Sequence, residues 1–398
     1  MSNIPKLRFP EFSGEWEKSE LGKFTQEITR VNSNSDAPIM MISAANGFIL
    51  QSNKYSKEMT GQSLKKYIEL HAGEFAYNHG ASKLKKYGAC FCLDLDKARI
   101  PFVYHCFKLT EGNTKFFSYL LNRTQLDSEL ARYISSSARM DGLLNISYTD
   151  YMKINISVPT LAEQQKIADF LSNVDSIITT ETKILKNLQK KKKALMQKLF
   201  TQQLRFKSDD GTDFPEWEEK KLGDVCSYIG GGTPSKKVKE YWNGNINWAS
   251  DKDITGKYLY ETQDKISQLG ADSSATNICE PDSLLLITRM SPGKTVITKC
   301  ITAINQDLKI VKSDINVEFL HLLFQSIQTK IDEKTSGTTV KGISIEGLNQ
   351  IDIRLPCKAE QQKIADCLSS LDSLIQTQQK VVTTWQQRKK ALLQQMFI

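Results

Sequence analysis

The chain repeats itself, and the repeat restricts its possible folds more than any other feature. Ala-Glu-Gln-Gln-Lys-Ile-Ala-Asp stands at Ala162–Asp169 and again at Ala359–Asp366, an offset of 359 − 162 = 197 residues. At that offset Ile156-Ser-Val-Pro159 aligns with Ile353-Arg-Leu-Pro356, Lys192-Lys-Ala-Leu195 with Lys389-Lys-Ala-Leu392, and Leu7-Arg-Phe9 with Leu204-Arg-Phe206. After a four-residue insertion, Trp16-Glu17 and Leu21-Gly22 match Trp217-Glu218 and Leu222-Gly223. Solenoid repeats run to tens of residues, so this period marks a duplicated module of domain plus helix. Between the shared blocks, residues 23–150 and 224–347 have little in common beyond Gly142 against Gly342 and the region of Phe116 and Phe319. The like parts are expected to build a common frame, and the unlike parts to touch different things.

The like parts read as helices. Ile167, Leu171, Val174, Ile178, Leu185, Leu188, Leu195 and Leu199 alternate at spacings of four and three, with Glu181 and Lys192 at the skipped positions. Ile364, Leu368, Leu371, Ile375, Val382, Trp385, Leu392 and Met396 repeat the pattern, with Gln378 and Lys389 in the gaps. An apolar period of 3.5 residues held over about five heptads specifies coiled-coil packing. Two helices are expected, over 161–206 and 358–398, without internal Pro or Gly. At ~40 residues each would be ~60 Å long. Pro159 and Pro356 precede the starts, and Lys207-Ser-Asp-Asp-Gly-Thr212 supplies turn formers after the first. Each stripe could be a separate dimerisation zipper, but two matching stripes in one chain can satisfy each other as an antiparallel pair. Lys190-Lys-Lys-Lys193 reads as a solvated face.

A chain of 398 residues, 40% hydrophobic and 25% charged, suits two globular domains plus connectors. The expected domains are 1–160 and 207–357, both mixed α/β, giving a pseudo-two-fold α/β (α+β) chain on its two long helices. A formal charge of +8 suits an acidic partner such as nucleic acid without requiring one. The eight cysteines (Cys90, Cys92, Cys106, Cys226, Cys279, Cys300, Cys357, Cys367) form no Cys-x-x-Cys pair, and His71, His79, His105 and His321 show no ligand spacing. No metal site is expected, and reduced thiols fit a cytoplasm. The opening Met-Ser-Asn-Ile-Pro-Lys lacks an apolar signal core, and runs such as Leu284–Ile287 are too short to span a bilayer. The expectation is a soluble cytoplasmic protein without membrane contact.

Within the variable domains, strand-like runs cover Pro38–Ser43, Ala89–Leu93, Phe102–Leu109, Ser283–Thr288, Thr295–Thr298 and Leu308–Val311. Each domain then has a short amphipathic helix, over Lys115–Leu121 and Val317–Ser326. A small, polar, basic loop follows: Ser135–Gly142 with Arg139, and Thr335–Gly342 with Thr339 and Lys341. Tyr77–Lys86 offers Asn78, His79, Ser82, Lys83 and Lys85, and Thr288–Thr295 offers Arg289 and Lys294. Gly230–Ser235 contributes Gly231, Thr233 and Ser235, with Tyr241-Trp-Asn-Gly244 and Trp248 beyond it. Any one of these is ordinary loop polarity. As a set, in the divergent part of a duplicated frame, they are donors placed to meet phosphates and base edges.

Together the Trp-Glu and Leu-Gly openings, the Gly-Gly-Thr-Pro-Ser loop with Tyr-Trp and Trp248, the Val-Pro or Leu-Pro before each Ala-Glu-Gln-Gln-Lys-Ile-Ala-Asp, and the Lys-Lys-Ala-Leu near each helix end resemble the specificity subunit of type I restriction–modification systems. The resemblance covers nearly the whole chain, though the first half lacks a Gly-Gly-Thr-Pro-Ser loop. It implies two target recognition domains, each reading half of a split site in double-stranded DNA. It implies that the helices set the unread spacer and dock two modification subunits that methylate adenine. Ile167, Leu171, Ile178, Leu188, Leu195, Ile364, Leu368, Ile375, Trp385 and Leu392 are the helix positions it puts forward. Restriction subunits with translocase and nuclease activity would in turn be recruited by the modification subunits. The resemblance also implies a chain that is no enzyme and binds no cofactor, with S-adenosylmethionine, ATP and Mg on the partner subunits.

Enzymatic readings are weaker. Gly293-Lys294-Thr295 has Thr288 where a phosphate loop needs its first glycine. Asp282 with Asp307-Leu-Lys309 imitates the carboxylates and lysine of a metal nuclease, at a permissive spacing. No Asn-Pro-Pro motif for methylating an extruded adenine occurs. A coiled-coil scaffold for other proteins is the remaining class.

Overall fold

The computed structural model describes residues 3–32, 34–54, 62–80, 82–134, 144–337 and 340–398. The chain forms two compact units, Met1–Thr182 with Lys380–Ile398, and Lys183–Gln379. They are grouped differently from the expected domains, because each takes in part of both long helices.

In the first unit, β1 (Glu17–Glu20) pairs antiparallel with β10 (Asn155–Val158). The central sheet has the order β2 (Thr25–Glu27), β9 (His105–Leu109), β6 (Phe75–Asn78), β7 (Ala89–Cys92), every pair antiparallel. An outer layer holds the hairpin of β3 (Met40–Ser43) and β4 (Gly47–Leu50) and the pair of β5 (Ile68–His71) and β8 (Lys97–Ile100). The short helices are α1 (Thr114–Leu121), α2 (Asp127–Tyr133) and α3 (Tyr148–Met152). Alternate residues of β6 serve two cores. Phe75 and Tyr77 join Trp16, Phe116 and the long helices, while Ala76 joins Ile42, Leu70 and Ile100 of the outer layer.

The second unit pairs β11 (Glu218–Lys221) with β21 (Asp352–Leu355). Its main sheet runs β12 (Ser227–Gly230), β20 (Leu308–Lys312), β17 (Leu284–Ile287), β18 (Thr295–Thr298), β14 (Tyr258–Leu259). A second sheet runs β15 (Asp264–Ile266), β13 (Ile246–Ala249), β19 (Thr302–Ile304), β16 (Asn277–Cys279). Its short helices are α5 (Leu222–Val225), α6 (Gln268–Asp272), α7 (Val317–Ser326), α8 (Gln328–Glu333) and α9 (Ile345–Asn349). The first four strands of the main sheet reproduce the order β2-β9-β6-β7, again all antiparallel. The divergent parts of the repeat therefore share a sheet that their sequences conceal.

The long helices are α4 (Leu161–Phe200) and α10 (Lys358–Gln395). In the first unit Ile167, Ala168 and Leu171 of α4 share a core with Leu392, Leu393 and Met396 near the end of α10. In the second, Leu195, Met196 and Leu199 meet Ile364, Ala365, Leu368 and Leu371 near the start of α10. This is the expected antiparallel pairing. The two lysines at skipped positions are used: Lys192 Nζ lies 2.5 Å from Asp372, and Lys389 Nζ 2.5 Å from Asp175. The two pairs are equivalent under the 197-residue offset and fix register twice. The first helix ends at Phe200, short of the expected 206. Gln202 turns left-handed (φ 59°), its N–H donating to Leu199 O and that of Leu204 to Lys198 O. A left-handed residue just past the last turn satisfies terminal carbonyls and stops the helix.

The eight-residue signature clamps each head to its helix. Glu163, almost fully buried, accepts from Arg8 Nη2 (2.7 Å) and Nε (2.8 Å) and from Trp16 Nε1 (3.3 Å). Glu360 does the same for Arg205 (2.7 and 3.2 Å) and Trp217 (3.0 Å). Gln164 accepts from the Asn113 N–H (2.9 Å) and donates to Pro159 O (2.9 Å), as Gln361 does with Asn316 (3.4 Å) and Pro356 (3.0 Å). Asn113 and Asn316 also cap α1 and α7, accepting from Phe116 and Phe319 N–H at 2.9 and 3.0 Å.

Candidate nucleic-acid interface

In the second unit, the residues singled out from sequence gather at one end of the main sheet. Gly230–Ser235 leaves the end of β12, Asn305–Asp307 leads into β20, and Thr288–Lys294 joins β17 to β18. Register puts all three at the same edge, since Gly230 faces Lys309 and Leu308 faces Ile287. Bonds tie them together. Thr233 Oγ1 donates to Gln306 Oε1 (2.6 Å), the Gly232 N–H donates to Ile304 O (3.0 Å), and Arg289 pairs with Asp307 at 3.3 Å. Gly231 is required here, because a Cβ would sit 2.3 Å from Ile304 O. The end of the 335–342 loop joins the cluster through Met290 N–H donating to Lys341 O (2.9 Å) and Ile343 N–H to Thr288 O (2.9 Å). Exposed Arg289, Lys294 and Lys341 face solvent around Asp307, which pairs only with the first of them.

Trp248, expected among the DNA contacts, is instead buried beneath the loop. Its Nε1–H donates to Gly232 O (3.1 Å), and its ring meets Trp242 edge-on at 5.0 Å. Trp242 donates in turn to Ser235 O (3.2 Å). The two tryptophans brace the glycine-rich loop from beneath, leaving exposed Thr233 and Ser235 outward.

The first unit places its candidates at the equivalent edge, in the 79–88 loop between β6 and β7. Here several carry structure instead of projecting. Asn78 donates to Ile42 O (3.2 Å) and accepts from Gly80 N–H (2.9 Å). His79 is buried, with Nδ1 2.9 Å from Leu144 O and its ring 5.1 Å from that of His105. Lys85 Nζ donates to Asn122 O (2.5 Å), and its partial burial draws the ammonium below its usual pKa. Ser82 accepts from Lys85 N–H (3.1 Å) and closes a turn whose tip is Lys83-Leu84, both exposed. Leu144 N–H donates to His79 O (2.9 Å), just as Ile343 does to Thr288. Arg139 and Thr339, with the whole of Ser135–Gly142, lie outside the described residues.

The enzyme-like motifs do not assemble. Asp282 precedes β17 and Asp307 stands by its far end, beside Leu308 paired with Ile287. A strand rises ~3.3 Å per residue, so the two carboxylates are roughly 15 Å apart and share no ion. Gly293-Lys294-Thr295 lies in a β-hairpin with no helix to follow it. Among the described residues, no group of His, Cys, Asp and Glu is arranged to hold a metal, and no helix is long and apolar enough to cross a membrane.

Behind the Lys294 loop, buried His321 bonds Thr295 Oγ1 (2.9 Å) and Gln325 Nε2 (2.7 Å). Burial, reinforced by Lys257 and Lys192, pushes its pKa down to about 4. The unfolded chain takes up this proton near pH 6.5, so the contribution is complete above that pH and disappears toward pH 4, by up to about 3 kcal/mol. Urea titration at pH 7 and pH 4.5 should show His321→Gln with a shallower pH dependence than the parent; equal slopes would contradict it.

Of the helix positions, Ile167, Leu171, Ile364 and Leu368 are buried in the cores and offer a partner no surface. Ile178, Leu188, Leu195 and Ile375 are half-buried. Trp385 and Leu392, with Phe170, Val174, Ile177 and Arg388, line an apolar groove of about 390 Å³ in the first unit.

Residues 32–190 and 215–384 match the type I restriction modification DNA specificity domain. The chain is 31% identical over 189 residues to the type I restriction enzyme MjaIX specificity subunit of Methanocaldococcus jannaschii, covering 46% of this chain and 44% of that protein. It is 30% identical over 243 residues to the EcoR124I/EcoR124II specificity subunit of Escherichia coli, covering 58% of each. The matched stretch thus spans about half the length of these relatives. A type I restriction-modification S subunit from M. genitalium has a similar fold, with a TM-score of 0.59, 14% identity and 99% of both chains covered.

Proposed function

The chain belongs to the type I restriction–modification DNA specificity family, and from that premise we propose that it reads a bipartite site in duplex DNA, one half with each head. One observation carries this reading: two sheets of the same strand order present, at the same edge, loops with different donors. Thr233, Ser235, Arg289, Lys294 and Lys341 are the reading and phosphate-contacting groups of the second head, and Lys83 that of the first. Long antiparallel helices hold the half-sites at a set separation and dock two modification subunits. Those subunits bring S-adenosylmethionine and methylate adenine, and restriction subunits with ATP and Mg join them. The chain itself contributes recognition and no catalysis, in the cytoplasm.

The test is binding of the purified full chain to duplex DNA across salt. With about six phosphate contacts, affinity should fall by about 10³ between 50 and 200 mM salt. Sequencing methylated adenines made by the chain with its partners identifies the site. Arg289→Ala should then weaken binding roughly tenfold or more, with relaxed choice at second-half positions only. Failure to retain DNA at low salt would leave a coil that organises proteins.

A further inference from the structure

Both heads carry a bare apolar side chain at the tip of the same loop. Leu84 is 68% exposed in the β6–β7 loop and Met290 58% exposed in the β17–β18 loop. Isolated exposed apolar residues are ordinary on any surface. These two stand out by place and by company. The loops are equivalent in sheets of the same order, yet share no sequence that would make the match an inheritance of side chains. Leu84 lies among Lys83, Lys85 and Lys86, and Met290 beside Arg289, Lys294 and Lys341. At the opposite end of the first sheet, exposed Leu95 sits between Asp94 and Asp96, where a phosphate backbone would be repelled. Met290 is also held at φ 70°, a conformation costly for a side chain with a Cβ, by its N–H bond to Lys341 O.

Resting on the DNA-reading function above, we propose that Leu84 and Met290 are wedges, each inserted at one base step of its half-site while the neighbouring cations hold the phosphates. An apolar side chain pressed between bases partly unstacks and kinks the duplex. Each head would then select for a step that opens easily, in addition to whatever its polar groups read.

The experiment uses the full chain without partners, so that no base is extruded by a methyltransferase, and duplexes of the methylated site with 2-aminopurine at successive positions. The parent should brighten one step in each half several-fold. Met290→Ala should abolish only the second-half signal and weaken binding roughly tenfold; Leu84→Ala should do so only in the first half. Met290→Leu should keep both. Arg289→Ala should lower affinity yet leave the signal intact at saturation. All variants change exposed groups, and unaltered melting confirms their folding. Binding by the parent with no bright step, or with equal brightening by Met290→Ala, overturns the wedge. So does loss of affinity for uracil-substituted duplexes with no unstacking, which would mean a thymine methyl contact. If the parent binds no duplex, the DNA reading itself fails.

Discussion

Glu360→Ala should destabilise the second unit by about 3 kcal/mol, lowering its melting temperature by roughly 6–12 °C. The Glu360 carboxylate is fully buried and takes bonds from Arg205 (2.7 Å) and Trp217 Nε1 (3.0 Å). Removing it strands the indole N–H, since Trp217 is itself buried, and leaves a guanidinium facing a cavity. Arg205 keeps Phe214 O (3.2 Å) and Pro215 O (2.7 Å), which holds the loss at the low end for a broken buried pair. Glu163→Ala should do the same to the first unit through Arg8 and Trp16. The control is Glu219→Ala, whose pair with Arg354 at 2.7 Å is exposed on both sides and should cost under about 0.5 kcal/mol. Two-unit unfolding should resolve into separate transitions in urea, each followed by its own variant. A Glu360→Ala protein melting with the control would mean that the clamp is not what joins head to helix.

That clamp also shows what the sequence could reveal and what it could not. Periodicity exposed the helices, their pairing and the polar register positions, because a seam imposes its spacing on every heptad. The signature at Ala162–Asp169 was visible as a repeat, but its work was not. Glu163 and Gln164 act on Arg8, Trp16 and Asn113, partners remote in the chain. The shared sheet was hidden for a different reason. Its central strands need only apolar side chains on both faces, and Phe75-Ala-Tyr77 fills that need as well as Leu284-Leu-Leu286. Burial misled in the opposite direction. His79, Lys85 and Trp248 carry the donors expected of DNA contacts, and each directs one ring or ammonium nitrogen at a carbonyl of its own chain. Arg289, Lys294 and Lys341 stay exposed, since charges on short loops between strands have few ways to be buried. Asp307, whose spacing from Asp282 only imitates a nuclease signature, pairs with Arg289.

Inserting four helical residues after Thr182 and four after Gln379 should abolish methylation at the original site and move it to one with a spacer longer by about two base pairs. The two positions are equivalent under the repeat, and each marks where its helix passes from one compact unit to the other. Four residues add ~6 Å of helix and ~400° of rotation, so the apolar stripe returns to within roughly 40° of its line. The seam then absorbs the change as local unwinding, whereas a two-residue insertion would turn the stripe to the far side. Lys192–Asp372 and Lys389–Asp175 lie on either side of the insertions, within their own units, and should hold each local register. At ~3.4 Å per base pair the added length matches about two pairs. Those two pairs also turn one half-site by ~70° about the DNA axis, which the heads must follow. The new site should therefore be methylated more slowly than the old one was, while the bases read in each half stay the same. Unchanged spacing after insertion in both helices would show that something other than helix length sets the gap. A change in the bases read would show that the heads do not recognise their half-sites independently.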